Sequence, residues 1–228
     1  MRAVAPVITI DGSSATGKGT ISEIIAKQLG WKLLESGALY RLLALAANKH
    51  HILSDDATGL ATLAEHLEIQ FIAQENAPTR IILEKDEVAP AHLFNESTGK
   101  AASIIAAIPA VRKALLSRQR AFRVPPGLIA EGRDMGTAIF PDAELKFFLT
   151  ASLSERAKRR LNQLKERGVH ATLSALMVEL RERDERDEAR AASPLKKAHD
   201  AILIDTDHLT IVAVVARILN EIKNKFEV

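Results

Sequence analysis

Five short apolar runs, separated by segments of helical period, constrain the fold of this chain more than any other feature of its sequence. They are VITI (7 to 10), WKLL (31 to 34), GLIA (127 to 130), LKFFL (145 to 149) and AILI (201 to 204). Runs of this length, apolar on both faces, suit strands of a parallel sheet covered by helices on either side. Between them, Ile21, Ile24, Ile25 and Leu29 share one helical face, and near the end Ile211, Val214, Val215, Ile218, Leu219 and Ile222 share another. Strand then helix, repeated, predicts a doubly wound α/β domain. One region breaks the rhythm: LEIQFIA (67 to 73) alternates, and after QENAP comes TRIILEKDEV (79 to 88), which predicts an antiparallel hairpin inserted into the α/β order. A chain of 228 residues is then one large domain, or one domain with insertions, and long enough to bury a substantial core.

The first apolar run leads straight into GSSATGKGT (12 to 20), and that stretch leads straight into ISEIIAKQL. A glycine-rich turn between strand and helix lets successive backbone N–H groups surround a phosphate, and the helix N-terminus adds partial positive charge. Gly12, four residues, Gly17 and Lys18 make the phosphate-binding loop pattern, with Lys18 able to reach the terminal phosphates of a nucleotide. The hydroxyl that usually follows the lysine is delayed: Gly19 intervenes and Thr20 comes one residue later. The other reading, a glycine-rich connection with no ligand, leaves the lysine unexplained.

Charge and composition exclude several classes. A net charge of +2 gives no general electrostatic case for gripping nucleic acid or a membrane surface. With no cysteine there are no disulfides, thiolate metal sites or thiol catalysis. No apolar stretch is long enough to span a bilayer, and MRAVAPVITIDG has no signal-peptide pattern, so a soluble, cytoplasmic protein is expected. His50 and His51 are adjacent and, on a helix, would not face the same way; they are read as loop residues and not as metal ligands.

Other segments carry chemistry of their own. GLIAEGRDMG ends an apolar strand in Glu131, where a phosphate-loop protein places an acid to hold magnesium, directly or through water. Arg133 and Asp134 follow at the carboxyl end of that strand, the edge where open α/β sheets bind ligands, and a guanidinium there can grip phosphate. A local ion pair is the plainer alternative. In RERDERDEAR, Arg183, Asp187 and Arg190 share one helical face, which alone also describes a solvated, charge-laced helix. SERAKRRLNQLKERG (154 to 168) is either a basic solvated helix or a mobile lid bringing Arg156, Arg159 or Arg160 over a transferring phosphate.

Taken together, GSSATGKGT, ESGALYR (35 to 41), GLIAEGRDMGTAIFPDA (127 to 143) and RERDERDEARAASPL (181 to 195) resemble, in this order and spacing, the segments that mark bacterial cytidylate kinases, within the phosphate-loop nucleoside monophosphate kinases. The resemblance runs over essentially the whole chain. It implies a P-loop kinase fold: a five-stranded parallel sheet flanked by helices, a nucleoside monophosphate-binding region with a small antiparallel sheet, and a helical lid. The corresponding boundaries are a core of 1–36 and 121–228, an acceptor region of 37–120 and a lid of 153–170.

The activity implied is transfer of the γ-phosphoryl of ATP to CMP or dCMP, with Mg²⁺, in pyrimidine metabolism, by a monomer. Gly12, Ser13, Ser14, Ala15, Thr16, Gly17, Lys18, Gly19 and Thr20 would hold ATP. Thr20 and Glu131 would serve the metal. Ser36, Arg41, Ser103, Arg112, Arg133, Asp134, Arg183, Asp187 and Arg190 would bind the acceptor, with Arg41 and Arg133 on its phosphate, Asp134 on cytosine, and Arg183 and Asp187 on the ribose. Lys18, Arg133, Arg156, Arg159 and Arg160 form the catalytic set. The chain departs from the family pattern at Ala15, where relatives commonly have glycine, and at Glu35 and Glu131, where they more often have aspartate. A kinase for UMP or AMP, and a phosphate-loop ATPase or switch, are the competing readings. The ATPase is disfavoured by arginines sufficient for two nucleotide sites.

Overall fold

The computed structural model describes residues 4–72, 80–166 and 168–226. In chain order the elements are β1 (Val7–Gly12), α1 (Lys18–Leu29), β2 (Lys32–Glu35), α2 (Ser36–Lys49), α3 (Ala57–His66), β3 (Ile69–Ile72), β4 (Arg80–Leu83), β5 (Asp86–Glu87), α4 (Pro90–Leu93), α5 (Glu96–Ile105), α6 (Pro109–Arg120), β6 (Leu128–Gly132), β7 (Leu145–Thr150), α7 (Leu153–Glu166), α8 (Leu173–Glu188), β8 (Ile202–Asp205) and α9 (Ile211–Phe226). A single π-type turn, Met135–Ile139, follows β6. The chain divides into two compact units, Met1–Glu35 with Arg120–Val228, and Ser36–Gln119.

In the first unit all five apolar runs are strands of one sheet, in the order β2-β6-β1-β7-β8. Every pairing in it is parallel. β1 is central and buried along its whole length, which is why it reads as a continuous apolar run. Ile8 and Ile10 of β1, Ile21 and Ile25 of α1, Phe147 and Leu149 of β7, and Val214, Ile218 and Ile222 of α9 share one core. Fully burying a side chain of this size contributes about 1.5–3 kcal/mol. A separate small core of Ala157, Leu164, Leu176 and Leu180 joins α7 to α8.

Gly12 ends β1 at φ +150, and a Cβ there would stand 2.2 Å from the carbonyl oxygen of Leu149 on β7. The chain can therefore leave the sheet at this point only through a residue without a side chain. Gly17, at φ 92, opens α1, and the αL Gly30 closes it by donating its N–H to Ala26 and Lys27.

The second unit has its own core, built on Leu42, Leu43 and Ala46 of α2, Leu60 of α3, Ile105 of α5, and Val111 and Leu115 of α6. The expected hairpin is present as β3 against β4. Its second arm doubles back once more: Glu84 and Lys85 adopt positive φ, and β5 pairs antiparallel with β4. EKDE contains no glycine, so this turn leaves little trace in the sequence. QENAP (74 to 78) lies outside the described residues. His50 and His51 occupy the turn after α2, and His50 Nε2 is 2.7 Å from Glu84 Oε1. No helix among the described residues is long and apolar enough to cross a membrane.

Candidate nucleotide site

The phosphate loop leaves β1 at the carboxyl edge of the sheet, and its carbonyls are engaged by side chains. The oxygen of Ser13 accepts from Lys18 Nζ at 3.1 Å and from Thr16 Oγ1 at 3.0 Å. That of Ser14 accepts from Arg156 Nη1 at 3.3 Å. That of Thr16 accepts from Arg159 Nη1 at 3.2 Å and from Thr206 Oγ1 at 3.3 Å. With the Ser13, Ser14 and Thr16 carbonyls turned to side chains, the loop's N–H groups are left for an anion, which is what a phosphate cradle needs. Ala15 takes φ 61 within the loop, a left-handed conformation in which glycine is freer, so the departure from the family pattern falls at a position where a Cβ is conformationally costly.

Lys18, buried in the first turn of α1, is 3.2 Å from Glu131 Oε1. Burial pushes the Lys18 ammonium down to about 8, helped by Arg133 and opposed by Glu131. Glu131 and Glu35 are register partners at the ends of β6 and β2. Burial, then the Glu131 and Glu23 charges, raise Glu35 to about 7. Gly19 stands beside Glu35: a Cβ at Gly19 would lie 3.7 Å from Glu35 Oε1.

Arg133 and Asp134 follow β6, and their turn is held by a residue that sequence reasoning passed over. Asp11, at the end of β1, accepts from Met135 N at 2.9 Å on one oxygen and from Gly136 N at 2.8 Å on the other. Burial pushes the Asp11 carboxyl up to about 7, against the pull of these two donors. An acid immediately ahead of the glycine-rich loop was the only signal available. Asp134 is itself buried.

Arg133 reaches across to α8, donating Nε to Asp187 Oδ2 at 2.7 Å and Nη2 to Ser14 Oγ at 3.1 Å. Arg190 takes the other Asp187 oxygen. Burial alone would raise the Asp187 carboxyl, but Arg133, Arg190 and Arg183 outweigh it and hold the group below the ordinary carboxylate range. In α7, Arg156 is buried and also donates Nη2 to Asp184 Oδ2 at 2.6 Å, while Arg159 is anchored to Thr206. Arg160 points along the helix to Gln163 at 3.3 Å. The first unit thus gathers Lys18, Glu131, Arg133, Asp187, Arg156 and Arg159 about one loop. Asp184 and Thr206 belong to the same set without having been singled out, because a lone acid or hydroxyl in a polar segment carries no pattern.

Magnesium would be served by Thr20 and Glu131. Thr20 is exposed on the first turn of α1, and no group of three acidic or histidine side chains forms a cage among the described residues. One carboxylate beside the loop lysine and one hydroxyl suit a hard cation that arrives on phosphate oxygens and keeps several of its waters. The donor set fits.

In the second unit, Ser36 starts α2 and is buried, and Arg41 donates Nη1 to the carbonyls of Leu93 and Asn95, each at 2.9 Å. Gly99 of α5 lies under that guanidinium, where a Cβ would be 2.7 Å from Nη2. Arg112 of α6 is buried, donates Nη1 to Ala106 at 3.2 Å and stands 5.8 Å from the centre of the Tyr40 ring. Ser103 of α5 is likewise buried.

The chain as a whole is similar to known proteins. The family model for cytidylate kinase matches residues 8–224. A cytidylate kinase of Pseudomonas fluorescens is 58% identical over 223 residues, covering 97% of each chain. One of Azotobacter vinelandii is 56% identical over 217 residues, covering 95% of this chain and 94% of the relative. A phosphate loop between β1 and α1, an acid at the end of β6, and identity above one half across nearly the whole length place this chain in the cytidylate kinase family.

Proposed function

We propose that the chain transfers the γ-phosphoryl of ATP to CMP or dCMP, producing ADP and CDP or dCDP. The observation that carries this reading is Lys18, buried and pinned between the Ser13 carbonyl and Glu131 at the edge of a parallel sheet, in a chain of the cytidylate kinase family.

The nucleophile is a phosphate oxygen of the acceptor, anionic at neutral pH, so no general base is required. What the reaction demands is that two repelling anions be held in line while charge on the moving phosphoryl is neutralised. Residues 12–20 would hold the donor phosphates, with Lys18 on the terminal ones. Arg133, Arg156, Arg159 and Arg160 are the proposed sources of further positive charge. Of these, Arg133, Arg156 and Arg159 hydrogen-bond to the loop itself, which limits how far they can drift from it. Magnesium, when bound with the nucleotide, supplies charge neutralisation at phosphate oxygens. Thr20 and Glu131 are the residues that would hold it. Ser36, Arg41, Ser103 and Arg112 in the second unit, and Arg133, Asp134, Arg183, Asp187 and Arg190 in the first, are proposed to bind the acceptor.

The test is ADP formation from MgATP with CMP, dCMP, UMP, AMP and dTMP, and with no acceptor. Turnover confined to CMP and dCMP is expected. Equal ADP release without an acceptor would identify a hydrolase and overturn the proposal.

A further inference from the structure

Asp184 is a largely buried acid on α8 to which neither the motifs nor the mechanism assigned a task. Its Oδ2 accepts from Arg156 Nη2 at 2.6 Å, and the pair is largely shielded from solvent, with side chains 7% and 16% exposed for arginine and aspartate. Its Oδ1 is buried and accepts no hydrogen bond among the described residues. A buried carboxylate with one oxygen idle depends heavily on its one hydrogen-bonded cation. Arg156 spends its other donors on fixed backbone: Nε on the Ala151 carbonyl at 3.1 Å and Nη1 on Ser14 of the phosphate loop at 3.3 Å.

Three residues along α8, Asp187 does the corresponding work for Arg133, which meets the same Ser14 through its hydroxyl. Residues three apart lie on one face of a helix. α8 therefore presents two carboxylates, Asp184 holding Arg156 and Asp187 holding Arg133 as well as Arg190, and Arg156 and Arg133 converge on Ser14. The platform is itself held: Leu176 and Leu180 of α8 pack with Ala157 and Leu164 of α7, the helix that carries Arg156.

We propose that Asp184 is a positioning residue for phosphoryl transfer, which aligns the Arg156 guanidinium against the phosphate loop and acts chiefly through it. The inference rests on the kinase reading given above. Without the carboxylate, Arg156 keeps its two backbone acceptors but loses the anion that holds Nη2, close to a loop that already carries Lys18 and Arg133. Misplacement of a group aligned on the reacting phosphoryl by about 1 Å costs on the order of 10²-fold in rate.

The experiment is a kinetic double-mutant cycle on the full chain, with D184N, R156A and the double variant, each assayed for kcat, for KM of CMP and for thermal midpoint. D184N is expected to lower kcat by on the order of 10²-fold with KM for CMP unchanged. The double variant is expected to be no slower than R156A. If D184N slows the R156A background as much as it slows the wild type, or leaves kcat within about twofold of wild type, the role is overturned. Should D184N fail to fold, D184E serves: it keeps the charge but moves it by one methylene, and a loss of about tenfold is expected. Wild-type turnover in D184E would overturn the proposal. An unmutated chain that forms no ADP with CMP or dCMP would overturn the kinase reading itself, an outcome distinct from active wild type with unaffected variants.

Discussion

Arg133 Nε lies 2.7 Å from Asp187 Oδ2, and Arg190 grips the second oxygen, so one buried carboxylate holds two arginines that come from different parts of the chain. Its folded-state pKa is depressed. The carboxylate therefore contributes stability that is fully present above the unfolded value of about 4 and is lost as pH falls through the lower folded value. Asp187→Asn leaves one buried and one largely buried guanidinium short of an anion, and a loss of about 3 kcal/mol at neutral pH is expected. Denaturant unfolding at pH 7 and at a series of values below 4 checks this. The difference between wild type and variant should shrink towards acid, and a constant difference would sink the idea.

Arg183 and Asp187 are proposed to contact the acceptor's ribose. Arg183→Ala should then alter the ratio of CMP to dCMP turnover by about fivefold, the worth of one hydrogen bond, while ATP binding changes little. Parallel kinetics on both acceptors measure the ratio. A uniform loss on the two would remove the assignment.

Gly99→Ala separates stability from function. The new methyl would fall 2.7 Å from Arg41 Nη2. The guanidinium can move, whereas the backbone of α5 is set by packing. Alanine is the better helix former by about 1 kcal/mol, so the thermal midpoint should hold or rise. KM for CMP should rise by about tenfold through loss of a charged phosphate contact worth 1.5–3 kcal/mol. An unchanged KM would show that Arg41 does not bind the acceptor.

Gly12→Ala has no such escape, because the methyl would meet the Leu149 carbonyl of the neighbouring strand at 2.2 Å. Separation of β1 from β7 at the start of the phosphate loop should cost about 3 kcal/mol or more, combining overpacking with backbone strain. Circular dichroism and thermal melting report it. A variant as stable as wild type would contradict the described close approach.

Glu131→Gln tests the metal assignment. If Glu131 serves magnesium, directly or through water, the Mg²⁺ concentration for half-maximal rate should rise by about tenfold or more. A lower kcat with unchanged Mg²⁺ dependence would mean that the carboxylate serves only its partner Lys18, 3.2 Å away.

Much of this molecule was written in its local sequence. The three inner strands were visible because a parallel strand covered on both faces must be apolar along its length, and VITI, GLIA and LKFFL are largely buried accordingly, whereas the edge strands β2 and β8 kept apolar runs though each buries only one residue fully. The phosphate loop was visible because only glycine tolerates the exit from β1 and the φ of 92 at Gly17. These are short-range demands, settled within a few residues, and sequence states them directly.

What sequence could not state is which charges meet. RERDERDEAR fits a solvated helix equally well, and only the packing of α8 on α7, which brings α8 beside the turn after β6, turned Asp187 and Asp184 into the partners of Arg133 and Arg156, 54 and 28 positions away. Asp11 is an unremarked acid until the sheet brings Met135 and Gly136 beside it. Gly99 is an ordinary helical glycine until Arg41 lies across it. An ion pair depends on distance and burial, and neither exists until distant segments pack, so the strands and the phosphate loop were local while the pairing of charges around the loop belonged to the tertiary structure.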